Sequence, residues 1–164
     1  MKLLYTTTDG ESSYEFVLRS LLRGARTTVK LAAHRVDRVF VSMYTVELNE
    51  LGARGVRVQL LLSSAHSSAA REALKDLRAA LPLLEVRVAS NLHAKVFLID
   101  GEYLLLGSAN LSGDSFGRGS DRDDGVHHWN HPNFEVGILL ADVTLASEAL
   151  TLFDRHWEKA TAWT

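Results

Sequence analysis

Short continuous apolar runs alternate along this chain with longer stretches in which apolar residues recur every three or four positions. Runs at residues 2–6, 27–33, 56–62 and 84–88 have the length of strands, and the run at 56–62 is continuous enough for burial on both faces. Between them the helical rhythm returns. Ser12 and Glu15 form a capping box around Tyr14, Val17, Leu18, Leu21 and Leu22, with Gly24 as the stop. Asp37 can cap a helix through Phe40, Met43, Tyr44, Leu48 and Leu51 that ends near Gly55, although the β-branched residues of 39–44 also permit a strand. Ser68 opens a helix with Ala70, Leu74, Leu77 and Leu81 inward, closed by Pro82. Residues 95–99 and 103–106 read as strands joined by a tight turn at Asp100-Gly101-Glu102. Residues 134–140 read as a last strand, and Asp142 caps a final helix whose inward face is Leu145, Ala149, Leu152, Phe153 and Trp157. The whole pattern predicts α/β layering.

One stretch breaks both rhythms. Residues 113–132 hold four glycines, four aspartates, two arginines and three histidines, and are expected to form one long flexible loop. At 164 residues, a single domain over 1–164 is expected. A net charge of −2 leaves no molecule-wide footprint for nucleic acid, so any anion-binding patch must be local. Without cysteine there is no disulfide or thiolate zinc site, which fits a reducing compartment. No apolar run approaches the roughly 20 residues of a membrane span, and residues 1–10 lack the apolar core of a signal peptide. A cytoplasmic protein is the expectation.

The candidate chemistry lies around the predicted hairpin. His93 and Lys95, two apart at the start of a strand, point to one face. The returning strand ends in Gly107-Ser108-Ala109-Asn110, which the hairpin can bring back beside them. An imidazole, an ammonium, a hydroxyl and an amide then surround one small volume that can hold a phosphate. Lys95 supplies charge, Ser108 and Asn110 supply neutral donors, and Gly107 permits close backbone approach. His93 is the competent nucleophile of the set. Asp100, at the turn, suits a structural role, because aspartate readily satisfies turn amides.

The spacing His93-x-Lys95-x4-Asp100, six residues, then Gly107-Ser108-x-Asn110 resembles the signature of the phospholipase D superfamily. Leu111-Ser112 continues it, Asn133-Phe134-Glu135 looks like the family's Asn-x-Glu element, and residues 153–157 are similar to the end of its small bacterial endonuclease branch. The resemblance implies an α/β fold with a mixed, largely parallel β-sheet flanked by helices on both faces. It implies a metal-independent phosphodiesterase, with no cofactor, acting through a covalent phosphohistidine on His93. Glu135 would bond the second ring nitrogen of His93, as an orienting carboxylate does in a triad, and Asn133 and Asp100 would be structural. The motif occurs once here, whereas most members carry it twice. The single-motif branch is therefore implied, in which a homodimer builds one shared site.

A nuclease acting on DNA or RNA is the leading expectation. A phospholipid hydrolase or transphosphatidylase is the alternative, and a nucleic-acid-binding or dimerisation module without turnover is the reading from outside enzymes. His127, His128 and His131 invite a metal site, but no carboxylate set accompanies them, and loop or substrate contact is favoured. Trp129 suits stacking on a base or anchoring the loop.

Overall fold

The computed structural model describes residues 1–118 and 132–164. Its elements run β1 (Lys2–Thr6), α1 (Ser13–Gly24), β2 (Thr28–Ala33), α2 (Arg38–Met43), α3 (Thr45–Ala53), β3 (Arg57–Leu62), α4 (Ser68–Ala80) and β4 (Leu84–Val88). They continue with β5 (Val96–Ile99), β6 (Tyr103–Gly107), a 3-10 helix at Gly113–Phe116, β7 (Glu135–Ala141), α5 (Val143–Lys159) and β8 (Thr161–Ala162). The strands form one sheet in the order β1-β7-β6-β5-β2-β3-β4-β8.

The sheet is mixed, as expected, but it is not largely parallel. Only β2–β3 and β3–β4 pair parallel. The pairings β1–β7, β7–β6, β6–β5, β5–β2 and β4–β8 are all antiparallel. The connections explain the division. Helices α2, α3 and α4 carry the chain back over the sheet, which parallel neighbours require, whereas β5 and β6 are joined by a short turn that forces them antiparallel.

Side-chain alternation along the strands gives each face its own core. Val29, Leu31, Ala33, Val58, Leu60, Leu62, Phe97 and Ile99 pack under α1–α4. Ala32, Leu61, Leu98 and Leu104 point the other way, under Ala146, Phe153 and Trp157 of α5. The expected inward face of α5 needs correction. Leu145 and Leu152 remain 41% and 54% exposed, because the stripe on the sheet is Ala146, Phe153 and Trp157.

Two further expectations changed. The helix expected from Asp37 to Gly55 is two helices that meet at Tyr44. Thr45 donates its hydroxyl to the carbonyls of Val41 and Ser42, both at 3.0 Å, and Arg19 donates to Met43 O at 3.0 Å. These bonds draw carbonyls out of the helical ladder just where the axis breaks. The stretch expected as one loop from residue 113 begins with a buried 3-10 helix. Phe116 inserts among Tyr14, Phe40 and Tyr44, with ring centroids 6.0, 5.6 and 5.7 Å away. The two-residue β8 was not foreseen, since so short a strand leaves no periodicity to read.

Asp37 caps α2 through Phe40 N at 2.9 Å and also receives Gly113 N at 3.2 Å, tying that helix to the 3-10 turn. Burial, with the charge of Asp114 added, lifts its pKa to about 6 against the opposing bonds from Phe40 and Gly113 and the charge of Arg35. A carboxyl raised in the fold stabilises it most when protonated. That contribution is complete below the unfolded value of about 3.9 and is lost as pH climbs through about 6. Asp37→Asn should therefore gain on the parent protein by up to about 3 kcal/mol between pH 4 and 7.5. Urea unfolding of both proteins across that range measures the gain, and a pH-independent difference would show that Asp37 ionises normally in the fold.

Candidate active site

The pairings β2–β5, β5–β6 and β6–β7 set Ala32 opposite Val96, Val96 opposite Leu106, and Gly107 opposite Gly137. In consequence the end of β2, the approach to β5, the end of β6 and the start of β7 lie along one edge of the sheet. His34, His93, Lys95, Ser108, Asn110 and Glu135 all belong to these segments.

Lys95 Nζ donates to the carbonyl of His93 at 2.9 Å and stands 3.4 Å from each of its ring nitrogens. An ammonium only donates, so a ring nitrogen can meet it only as an acceptor. Burial pulls the Lys95 pKa below the usual lysine value, while the Glu135 charge acts against that shift.

Asn110 is fixed at both ends. Its backbone N–H donates to Ser115 Oγ at 3.1 Å, and its Oδ1 accepts the backbone N–H of His34 at 3.1 Å. With the oxygen committed to His34, the amide orientation is decided, and the NH2 group has no hydrogen bond among the described residues.

Ser108 and Glu135 depart from expectation together. The Ser108 hydroxyl donates to Glu135 Oε2, and its oxygen accepts Val136 N at 3.1 Å. A hydroxyl has one proton, so in this arrangement Ser108 holds a carboxylate rather than a phosphate. Glu135, 5% exposed, also receives Ser115 Oγ at 2.8 Å and Asn133 Nδ2 at 3.3 Å. No hydrogen bond joins it to His93 among the described residues; its oxygens are taken by Ser108, Ser115 and Asn133. Ser115 was missed in the sequence because it sits in a stretch read as loop. The short polar cluster Ser112-Gly113-Asp114-Ser115 directly after the motif was the available signal.

Gly107 has a different reason from the one expected. A Cβ there would lie 1.9 Å from the Tyr14 hydroxyl, and one at Gly137 would lie 1.7 Å from it. The two glycines form a slot for a fully buried tyrosine whose hydroxyl makes no well-formed hydrogen bond among the described residues. Burial, then the nearby Glu135 charge, raises that hydroxyl far above its ordinary pKa, so it stays protonated.

Asp100 sits at φ +53°, at the opposite end of β5 from His93. Its carboxylate accepts Arg26 N at 2.8 Å, Thr27 N at 2.8 Å, Thr27 Oγ1 at 2.9 Å and Thr28 N at 2.9 Å. Burial pushes its pKa up, but the bonds from Thr28, Thr27 and Arg26 outweigh that and hold the carboxyl below its usual value. This geometry is a clamp between the β5–β6 turn and the start of β2.

The His34 and His93 rings lie 5.7 Å apart between centroids, inclined by 48°. His127, His128, Trp129 and His131 fall outside the described residues. Among those described, no three histidine, aspartate or glutamate side chains converge as a metal site. A cleft of about 1100 Å³ lined by Arg19, Arg38, Asp76 and Arg118 holds none of the motif residues.

This topology, with an imidazole, an ammonium and an oriented amide along one sheet edge, defines a phosphodiesterase-type fold of the phospholipase D class with one motif per chain. The family model described as cardiolipin synthase, PLD-like domain, matches residues 18–157, and the chain belongs to that family. Among solved structures it is similar to Nuc from Salmonella typhimurium, a phospholipase D family member, with a TM-score of 0.76 and 17% identity over 99% of this chain and 96% of that one. NucT from Helicobacter pylori superposes with a TM-score of 0.70 at 20% identity, covering 99% of this chain and all of that one. TrmBL2, an archaeal chromatin protein whose structure shows a novel mode of DNA binding, gives a TM-score of 0.60 at 15% identity over 99% of this chain and 54% of that one. No curated protein sequence matches the chain.

Two substitutions test the supporting structure. Asp100→Ala should cost about 3 kcal/mol at pH 7, since four bonds to a charged acceptor are lost. A depressed carboxyl stabilises the fold above the unfolded value of about 3.9, and that contribution is lost as pH falls through the folded one, so the penalty should shrink in acid. Urea unfolding at pH 7 and pH 3 reads both effects, and an inactive Asp100→Asn protein of normal stability would overturn the structural assignment. Gly107→Ala should destabilise by about 3 kcal/mol, and less in a Tyr14→Phe background, where the closest clashing atom is gone. Additive penalties in that double-mutant cycle would refute the slot.

Proposed function

We propose that this protein is a nuclease-type phosphodiesterase that hydrolyses nucleic-acid phosphodiester bonds, without metal, through a covalent phosphohistidine on His93. The observation that carries the proposal is the position of Asn110. Its NH2 group is left as a donor at the same sheet edge as the His93 imidazole and the Lys95 ammonium.

The reaction has two displacements. In the first, the His93 nitrogen lone pair forms a bond to phosphorus, the bond from phosphorus to the leaving oxygen breaks, and the partner subunit's His93 gives that oxygen its proton. In the second, the same partner imidazole takes a proton from water, the resulting hydroxide attacks phosphorus, and the N–P bond breaks to release a phosphomonoester. Lys95 and Asn110 meet the equatorial oxygens as charge builds there. Glu135, held by Ser108 and Ser115, acts through its field on Lys95 rather than by touching His93.

In-line displacement calls for a nucleophile and an acid on opposite sides of phosphorus, and the chain has one His-x-Lys copy. Two copies of the chain related by a two-fold axis would supply both groups. A second feature supports pairing. An apolar groove of about 410 Å³ runs between the sheet and α5, lined in part by Leu106, Leu145 and Leu152 and by Leu92 and Ala94, which flank His93 in the sequence. A neighbouring copy would cover it. Nucleic acid is preferred as substrate because the motif resembles that of small bacterial endonucleases and because TrmBL2, about half of which shares this fold, is described as binding DNA. No helix among the described residues is long and apolar enough to cross a membrane.

The test is incubation with single- and double-stranded DNA, RNA and phosphatidylcholine vesicles in excess EDTA. Nucleic acid should be cut and vesicles left intact; activity that vanishes in EDTA and returns with a divalent ion would sink the mechanism. His93→Ala should abolish turnover, and Lys95→Ala or Asn110→Ala should each cost about 3–4 kcal/mol of transition-state stabilisation. Excess His93→Ala mixed with the parent protein should suppress activity, provided subunits exchange. A fully active monomer in sedimentation at assay concentration refutes the shared site.

A further inference from the structure

We infer that His34 is an additional phosphate-binding residue of this site, a group outside the His-x-Lys…Gly-Ser-x-Asn motif that donates to an equatorial oxygen of the phosphodiester. The inference rests on the proposed phosphodiesterase reading and extends it.

His34 follows directly on β2, the central strand that pairs with β5. Its side chain is exposed, its ring has no hydrogen bond among the described residues, and its ring contact there is with His93. Its backbone N–H is bonded to the side-chain oxygen of Asn110. The residue is thus coupled to one proposed phosphate ligand through its main chain and to the proposed nucleophile through its ring. A structural histidine would instead be buried with its ring nitrogens satisfied. The other described histidines are placed differently, since His156 lines the apolar groove and the backbone of His66 turns onto Ser64.

Distance selects the role. With reacting atoms about 3 Å apart and hydrogen bonds of about 2.8 Å, an acid on the far side of phosphorus stands about 7 Å from an in-line nucleophile. A donor to an equatorial oxygen, approaching from the side, stands about 5 Å from it by the same lengths. The 5.7 Å between the two ring centroids lies nearer the lateral value than the in-line one. His34 therefore does not replace the partner's His93 as acid. It adds a third donor, with Lys95 and Asn110, on the wall of the pocket that its own chain provides.

The experiment compares the parent protein with His34→Ala and His34→Gln, whose amide keeps a donor. Two readouts are needed: the affinity for inorganic phosphate by calorimetry, and kcat and KM for bis(4-nitrophenyl) phosphate. Because the side chain is exposed, thermal stability should not move in either variant. His34→Ala should weaken phosphate binding about tenfold and lower kcat/KM by about 10- to 100-fold, as expected for a hydrogen bond to a charged group. His34→Gln should recover most of both. Unchanged phosphate affinity and kcat/KM in His34→Ala would overturn the inference. So would a loss confined to alkyl diesters with poor leaving groups, which would make His34 the acid. If the parent protein binds phosphate but cleaves no diester, the proposed function falls while the calorimetry still decides the role of His34. If it does not bind phosphate at all, both fall.

Discussion

The site is organised around one buried carboxylate. Removing Glu135 from water costs several kcal/mol unless its oxygens are satisfied, and they are satisfied by Ser108, Ser115 and Asn133. Those partners come from the end of β6, the 3-10 helix and the approach to β7, so one charge pulls three segments to one point. The order then propagates. Ser115 accepts the backbone N–H of Asn110, and the Asn110 side chain accepts that of His34, which fixes the end of β2 against the end of β6. The groups facing the proposed substrate thus inherit their positions from a residue that does not face it.

Close packing behind the sheet edge serves the same end. Tyr14 occupies a slot that only glycine at 107 and 137 leaves open, and Phe116 locks the 3-10 helix against Tyr14, Phe40 and Tyr44. Asp37 adds a polar tie between α2 and Gly113. That tie is costly at neutral pH, where burial opposes its charge. Stability is given up there in return for fixing the turn that carries Ser115.

Charge is also handled locally. The chain carries a net −2, and many of its cations are committed to carboxylates, as Arg19 and Arg23 are to the buried Glu47 and Arg35 is to Asp114. Lys95 is placed otherwise: it rests on a main-chain carbonyl beside His93, in the field of Glu135 but not bonded to it. Under the proposed function, an incoming phosphodiester would draw such an ammonium away at little cost, whereas a paired guanidinium would first have to leave its carboxylate.

Much of the architecture was legible along the chain, because burial imposes a period on each element. The strands at Lys2–Thr6 and Leu84–Val88, the serine cap of α1, the β5–β6 turn and the motif residues follow from spacing alone. The turn position of Asp100 was also readable, and there its carboxylate accepts bonds from Arg26, Thr27 and Thr28. What could not be read depends on partners distant in sequence. Sheet polarity follows from which strands become neighbours, and the break at Tyr44 from hydroxyl and guanidinium bonds to carbonyls. Leu145 and Leu152 have the periodicity of core residues, yet α5 is turned so that Ala146, Phe153 and Trp157 meet the sheet instead. The sequence by itself determined that an imidazole, an ammonium and an amide would share one edge, because their spacing on a hairpin allows little else. Only the tertiary structure decided that Ser108 serves Glu135, that Gly107 yields to Tyr14 and that His34 stands beside His93. Each of those relations joins residues 27 or more positions apart, and a local pattern carries no record of where a folded chain brings them.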